Sequence, residues 1–119
     1  MKLIELQPQW LERDGVRVGI MFKCPHCRSD WLTCFRVAMP IWGGEVAAPR
    51  LYSGQMGYVR DALNAINLQE VRENSVVPCN PSIAWKFEGT TFDDLTISPS
   101  LDCSASGHWH GFIRGGMIA

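Results

Sequence analysis

The spacing of hydrophobic residues along the chain predicts a domain built mainly from β-strands. Branched and aromatic residues are concentrated at positions 3–6 and 16–22, and in the second segment they alternate with Arg17 and Gly19, as in a half-buried strand. A further strand is predicted at 31–37, where alternate residues share one face. Shorter segments of the same kind lie at 83–87, 95–97 and 109–114, and a last short strand follows a double-glycine turn.

One segment in the middle of the chain has helical spacing instead. Its apolar residues follow one another at three- and four-residue steps: Met56, Val59, Leu63 and Ile66. This spacing predicts a surface helix over about residues 55–72. The predicted fold is therefore α+β and mainly β, a small antiparallel-sheet domain over residues 1–119, in which residues 40–80 form a loop–helix insertion.

Composition and charge argue against nucleic acid and membrane as partners of the protein. Hydrophobic residues make up 46% and charged residues 19% of the chain, which is typical of a globular domain. The formal net charge of -1 leaves no basic excess to neutralise phosphates, so the sequence does not imply non-specific nucleic-acid binding. No apolar run reaches membrane-spanning length, and the apolar stretch at the N-terminus is too short for a signal peptide. We therefore expect a cytoplasmic protein.

The motif Cys24-Pro25-His26-Cys27 predicts a zinc knuckle. In a reducing cytosol, five cysteines that include a C-x-x-C pair favour metal or redox chemistry over a disulfide framework. Predicted strands flank the motif, so it forms the tip of a hairpin, where two thiolates can bind one Zn²⁺ ion. The same four residues occur as the redox pair of thioredoxin-like oxidoreductases, but that chemistry needs the first cysteine at a helix N-terminus. A strand follows here, which favours zinc.

Zinc needs four tetrahedral ligands, so two more must come from elsewhere in the chain. Cys34 lies on a predicted strand and is better explained as a small buried apolar residue. Cys103 and His108 are separated by four small residues that can curl round an ion. The predicted ligand set is Cys24, Cys27, Cys103 and His108, with Cys79 and His110 as alternates. A closed site of this kind stabilises a fold rather than activating water.

Four segments in order resemble a phage and bacterial family of long-unknown function whose phage members are often mislabelled "ammonia monooxygenase". These segments are Cys24-Pro25-His26-Cys27, Trp85-Lys86-Phe87-Glu88-Gly89, Pro99-Ser100-Leu101 and His110-Gly111-Phe112-Ile113. Relatives encoded in bacterial ubiquitin-like conjugation operons look like peptidases. The resemblance implies a phage-type zinc protein and a serine-type peptidase acting on a ubiquitin-like or other protein C-terminus, with Ser100 as nucleophile and His110 as base.

The chemistry of this pair is reasonable, although it leaves alternatives. A serine hydroxyl becomes nucleophilic when a neutral imidazole within reach takes its proton, and Asp93, Asp94 or Asp102 could orient that imidazole. A Pro-Ser step is also a common turn. In an extended segment His110 shares a face with His108, and as a zinc ligand it could not also be a base. The alternative function is a non-catalytic, zinc-stabilised module that binds a host or phage protein.

Four of the five tryptophans fall into two groups. Those on predicted strands are expected in or near the core: Trp31, Trp85 and Trp109. Trp42 precedes a double glycine in a loop, where it could be an exposed anchor for a protein partner or could fold back over the core.

Overall fold

The computed structural model describes residues 1–13, 15–36, 76–79, 85–104 and 107–119. Within these ranges the chain forms a short 3-10 helix, Leu3–Leu6, and eight strands: β1 Gln9–Arg13, β2 Val16–Lys23, β3 Trp31–Phe35, β4 Val76–Pro78, β5 Lys86–Glu88, β6 Thr96–Asp102, β7 His110–Arg114 and β8 Met117–Ile118. The predicted mainly β fold class is confirmed. The helix predicted over about 55–72 and the predicted anchor Trp42 lie outside the described residues. In the described part of the chain, no helix has the length and apolar character needed to cross a bilayer.

The strands form two four-stranded sheets. The first has the order β1-β2-β3-β4, and the second has the order β5-β6-β7-β8. Every neighbouring pair is antiparallel except β3 and β4, which are parallel. Both sheets are thus mainly antiparallel. The turn between β2 and β3 and the loop between β6 and β7 carry the candidate site residues.

Burial along the strands explains their composition. All five residues of β3 are buried, as expected for a strand with neighbours on both sides and covered faces. In β7 burial alternates, so Gly111 and Ile113 face inward while His110, Phe112 and Arg114 face outward. The alternation places His110 on the solvent-facing side of the second sheet.

One hydrophobic core joins the two sheets. It draws buried residues from both, including Phe22 and Leu32 of the first and Ile97 and Ile113 of the second. The sequence prediction that three tryptophans belong to the core holds, since Trp31, Trp85 and Trp109 are all at most 4% exposed. Because each sheet is small, the shared core is what makes them one folding unit.

Direct contacts also tie the sheets together at separate places. Trp10 of β1 stacks on Phe92 with ring centroids 4.8 Å apart, and Phe22 of β2 meets Trp109 edge-on at 6.0 Å. The backbone N–H of Trp85 donates to the carbonyl of Phe35 at 3.0 Å. The Phe22–Trp109 contact matters most for function, because Trp109 follows His108 directly in the chain.

Three elements differ from the sequence prediction. Leu3–Leu6 is a 3-10 helix rather than a strand, because Leu3 and Leu6, three residues apart, both reach the core when the chain turns once. Gln7 ends the helix in the left-handed region at φ 52°. Strands β1 and β4, the two edge strands of the first sheet, were not predicted. Strand β1 pairs with its chain neighbour β2, whereas β4 pairs with β3, which lies far from it in the sequence.

We expect the Ile113→Ala substitution to lower the free energy of unfolding by about 2–5 kcal/mol, since it opens a cavity at a fully buried position. The neighbouring Phe112→Ala is the matched control. Phe112 is 36% exposed, so we expect its loss to cost no more than about 1 kcal/mol. Urea denaturation followed by tryptophan fluorescence measures both. Equal losses would contradict the assignment of the inward face of β7.

Candidate metal centre and serine–histidine pair

The turn between β2 and β3 holds the two knuckle thiols in place. The N–H of Cys24 donates to the carbonyl of Asp30, and the N–H of Arg28 donates to the carbonyl of Cys24, both at 2.8 Å. Arg28 adopts a left-handed conformation at φ 56°, which reverses the chain directly after Cys27. The predicted hairpin is thus present, and its tip carries Cys24 and Cys27.

The loop between β6 and β7 brings His108 to this tip from the other sheet. The N–H of His108 donates to the carbonyl of Cys103 at 3.0 Å, and the N–H of Cys103 donates to the carbonyl of Trp109 at 3.1 Å. These two bonds close the loop, and the packing of Trp109 against Phe22 fixes it against the first sheet. His108 is therefore positioned by backbone pairing and by the core together.

Cys24, Cys27 and His108 form a cluster that can hold a metal ion. One ligand atom from each lies within 4.8 Å of the other two. Cys27 Sγ and His108 Nδ1 are 3.8 Å apart. In a tetrahedral zinc site with Zn–S near 2.3 Å and Zn–N near 2.05 Å, sulfur and nitrogen ligands lie about 3.6 Å from each other. The spacing of the side chains thus fits a shared ion.

Asp30 orients the imidazole of His108. Its Oδ2 lies 3.3 Å from His108 Nε2, while Nδ1 of the same ring faces the thiols. A proton on Nε2 that is donated to the carboxylate leaves Nδ1 with its lone pair toward the cluster. Histidine ligands commonly have such a carboxylate behind them, which fixes the tautomer. Asp30 was not among the predicted site residues, and its position three residues after Cys27 is the one signal for it in the sequence.

The Cys27 thiol is set up to ionise. Desolvation raises its pKa, but hydrogen bonds from the backbone N–H groups of Asp30 and Ser29 outweigh that effect, assisted by the side chains of Ser29 and Cys24. The resulting pKa is about 6, against an ordinary value of 9.0. With a pKa of about 6, the Cys27 thiol is mostly ionised at neutral pH, and the thiolate is the form that binds a metal.

The structure joins the predicted ligand Cys103 to Cys79 in a disulfide. The cysteine pattern predicts metal or redox chemistry rather than disulfides, with Cys79 only as an alternate ligand, and the structure corrects this prediction for Cys79 and Cys103. The two residues follow β4 and β6, on different sheets, and their Cα atoms lie 4.9 Å apart, within the usual range for a disulfide. A sequence separation of 24 residues gives no sign of this pairing.

Cys34 and His26 lie outside the cluster of Cys24, Cys27 and His108. Cys34 is fully buried on β3, and burial raises the pKa of its thiol well above the ordinary value. This agrees with its interpretation as a small apolar residue. His26, between the two knuckle cysteines, is exposed. It provides a natural control for His108.

The structure brings Ser100 and His110 together on the outer face of the second sheet. Ser100 Oγ and His110 Nε2 are hydrogen-bonded at 3.3 Å. The register between β6 and β7 is irregular between Ile97 and Leu101, so β6 carries two extra residues there. Such irregularities re-aim side chains and are frequent beside active sites. His110 thus faces Ser100, while His108 faces the thiols.

Two of the three aspartates proposed to orient His110, Asp94 and Asp102, form hydrogen bonds elsewhere. Asp102 lies opposite His110 in the register, but its Oδ1 accepts the hydroxyl of Ser104 at 2.5 Å and the Ser104 N–H at 2.9 Å. These bonds hold the pKa of Asp102 below its ordinary value, with a smaller contribution from the charge of His110. Asp94 accepts three hydrogen bonds from Thr90 and Thr91 in its own turn. Among the residues that the structure describes, Ser100 and His110 form a pair rather than a hydrogen-bonded triad.

The glycines near the pair serve the fold. A Cβ on Gly111 would collide with the ring of Trp109 and the carbonyl of Ala119, and one on Gly116 would collide with the backbone of Asp93. These glycines therefore admit the protein's own atoms rather than a substrate.

Comparisons with protein-family models, with curated proteins and with solved structures give no match. The resemblance to the phage and bacterial family therefore stays a prediction, and the function has to be argued from the geometry.

We expect iodoacetamide to modify Cys27 of the metal-free protein at neutral pH and to spare Cys34. The modification rate should rise with pH through a midpoint near 6, because the pKa of Cys27 is depressed to that value and only the thiolate reacts. Peptide mass spectrometry after timed quenching locates the modification, and Cys27→Ser is the control that should lose it. A midpoint near 9 would contradict the hydrogen-bonded thiolate.

Proposed function

We propose that this protein is a zinc-binding domain in which Cys24, Cys27 and His108 hold one ion between the two sheets. The observation that carries the proposal is the convergence of two thiols and one imidazole from separate sheets within 4.8 Å. The carboxylate of Asp30 beside His108 Nε2 supports it, because a carboxylate at that nitrogen favours the tautomer whose Nδ1 can bind a metal. Thiolate and imidazole together are a donor set that suits Zn²⁺.

The ion would crosslink the two sheets, whose shared hydrophobic core is small. Cys24 and Cys27 belong to the β2–β3 turn, and His108 belongs to the β6–β7 loop. An ion that binds the folded arrangement and not the unfolded chain stabilises the fold by its binding free energy. The proposed role of zinc is therefore structural.

We expect protein purified without chelator to contain one zinc per chain, measured by inductively coupled plasma mass spectrometry. Removal of the ion should lower the melting temperature by more than about 10 °C, since the site links two sheets of a small domain. His108→Ala should lose both the zinc and this stabilisation.

His26→Ala is the matched control, because His26 lies between the same two cysteines but is exposed. It should keep the zinc and the melting temperature. A zinc-free wild-type protein, or equal zinc content in the two histidine variants, would refute the site.

A second candidate function, a serine-type hydrolase, rests on the contact between Ser100 and His110. A hydroxyl 3.3 Å from an imidazole nitrogen is within reach of proton transfer once substrate binds. The outward face of the sheet leaves His110 accessible. The substrate class that the sequence resemblance suggests is a protein C-terminus, such as that of a ubiquitin-like protein.

We expect a fluorophosphonate probe, which labels activated serines, to modify Ser100. His110→Ala should slow labelling by about 100-fold or more, because the serine loses its base. Ser98→Ala is the control, since Ser98 is an exposed residue of the same strand that makes no such contact in the described structure. Labelling that does not depend on Ser100 and His110 would remove the hydrolase and leave the domain as a non-catalytic, zinc-stabilised module for a protein partner.

A further inference from the structure

The proposed zinc site has three protein ligands, which leaves one tetrahedral position to fill. The chain has five cysteines and three histidines, and all of them lie in the described ranges. Outside the cluster, Cys34 is buried within β3, His26 is exposed at the knuckle and His110 is bonded to Ser100. The cysteine and histidine side chains that remain are the two halves of the Cys79–Cys103 disulfide.

Of the two cysteines in the disulfide, Cys103 is the one whose backbone is hydrogen-bonded to a proposed zinc ligand, His108. It begins the loop that presents His108, and its carbonyl accepts the His108 N–H at 3.0 Å. It is 2% exposed and shares the hydrophobic core cluster with Cys24. Cys79 instead follows β4, and its N–H donates to the carbonyl of Thr33 in the first sheet at 2.8 Å.

We propose that the Cys79–Cys103 disulfide controls the fourth position, so that reduction frees Cys103 to become the fourth zinc ligand. The inference rests on the proposed zinc function. Two molecules of a low-molecular-weight thiol supply two electrons and two protons: the S–S bond breaks, both cysteines become thiols, and the reductant becomes its own disulfide. Cys103 then releases its proton as it binds the ion, and Cys79 stays a buried thiol.

The two redox states have different properties. With the disulfide intact the site holds three protein ligands and an exogenous ligand fills the fourth position, so the ion still joins the two sheets but dissociates more readily. After reduction the site is closed by three thiolates and one imidazole, which is the arrangement of a structural site. The protein thus binds zinc in both states, and more tightly under reducing conditions than under oxidising ones.

The test is the zinc dissociation constant, measured without oxygen by competition with a chromophoric chelator. Wild-type protein is compared with the disulfide intact and after reduction by a phosphine, which does not compete for zinc as thiols do. We expect on the order of 100-fold tighter binding after reduction, as one ligand's share of a four-ligand site. Absorption of the Co²⁺-substituted protein should show an added thiolate at the same step.

Two variants that remove the same disulfide separate this account from a structural crosslink. Cys79→Ser removes the disulfide and keeps the Cys103 thiol, so binding should be tight with or without reductant. Cys103→Ser should bind weakly in both conditions. A crosslink that only stabilises the fold would make the two variants alike, and that result would overturn the inference.

The same measurements separate a failure of the redox control from a failure of the proposed zinc binding. Equal zinc affinity of oxidised and reduced wild-type protein would overturn the redox control and leave the three-ligand site standing. Tight binding by Cys103→Ser together with weak binding by Cys79→Ser would also overturn it, because Cys79 would then be the ligand. Absence of zinc binding in every form would refute the proposed function itself.

Discussion

The contact between the β2–β3 turn and the β6–β7 loop is the junction on which the arrangement of the two sheets depends. Each sheet has four short strands, and such a sheet is stable only when its apolar face packs against another layer. At the junction Phe22 packs against Trp109, and two cysteines of one sheet meet a histidine of the other. The Cys79–Cys103 disulfide also links the sheets, through the chain directly after β4 and β6. A bound ion would add a further link between the sheets at this junction.

The same loop connects the metal cluster to the serine–histidine pair. His108 and His110 are two residues apart, yet the turn of the chain into β7 gives them separate partners: His108 lies against Cys27 and Asp30, and His110 lies against Ser100. The sequence had left open whether His110 serves the metal or the serine. Because His108 is tied to the first sheet, whatever fixes it also fixes the start of β7 and the position of His110. Zinc in this account supports the pair without taking part in its chemistry.

Local pattern predicted the parts of the fold that depend on neighbours in the chain. The hairpin around the knuckle follows from two strand segments and a tight turn, and the burial of Cys34 follows from its place on a strand. The pairing of Cys79 with Cys103 and the parallel joining of β4 to β3 depend on where distant segments meet, which spacing does not reveal. Asp30 was missed for another reason: a carboxylate behind a histidine is recognisable only once the histidine has been placed.

Zinc K-edge X-ray absorption of protein purified without chelator, with its disulfide intact, tests the central claim most directly. The account predicts two sulfur ligands at about 2.3 Å together with a histidine nitrogen at about 2.0–2.1 Å. That ligand shell would place one ion on Cys24, Cys27 and His108. A shell of nitrogen and oxygen alone would contradict the account, because the knuckle thiolates would then not hold the metal.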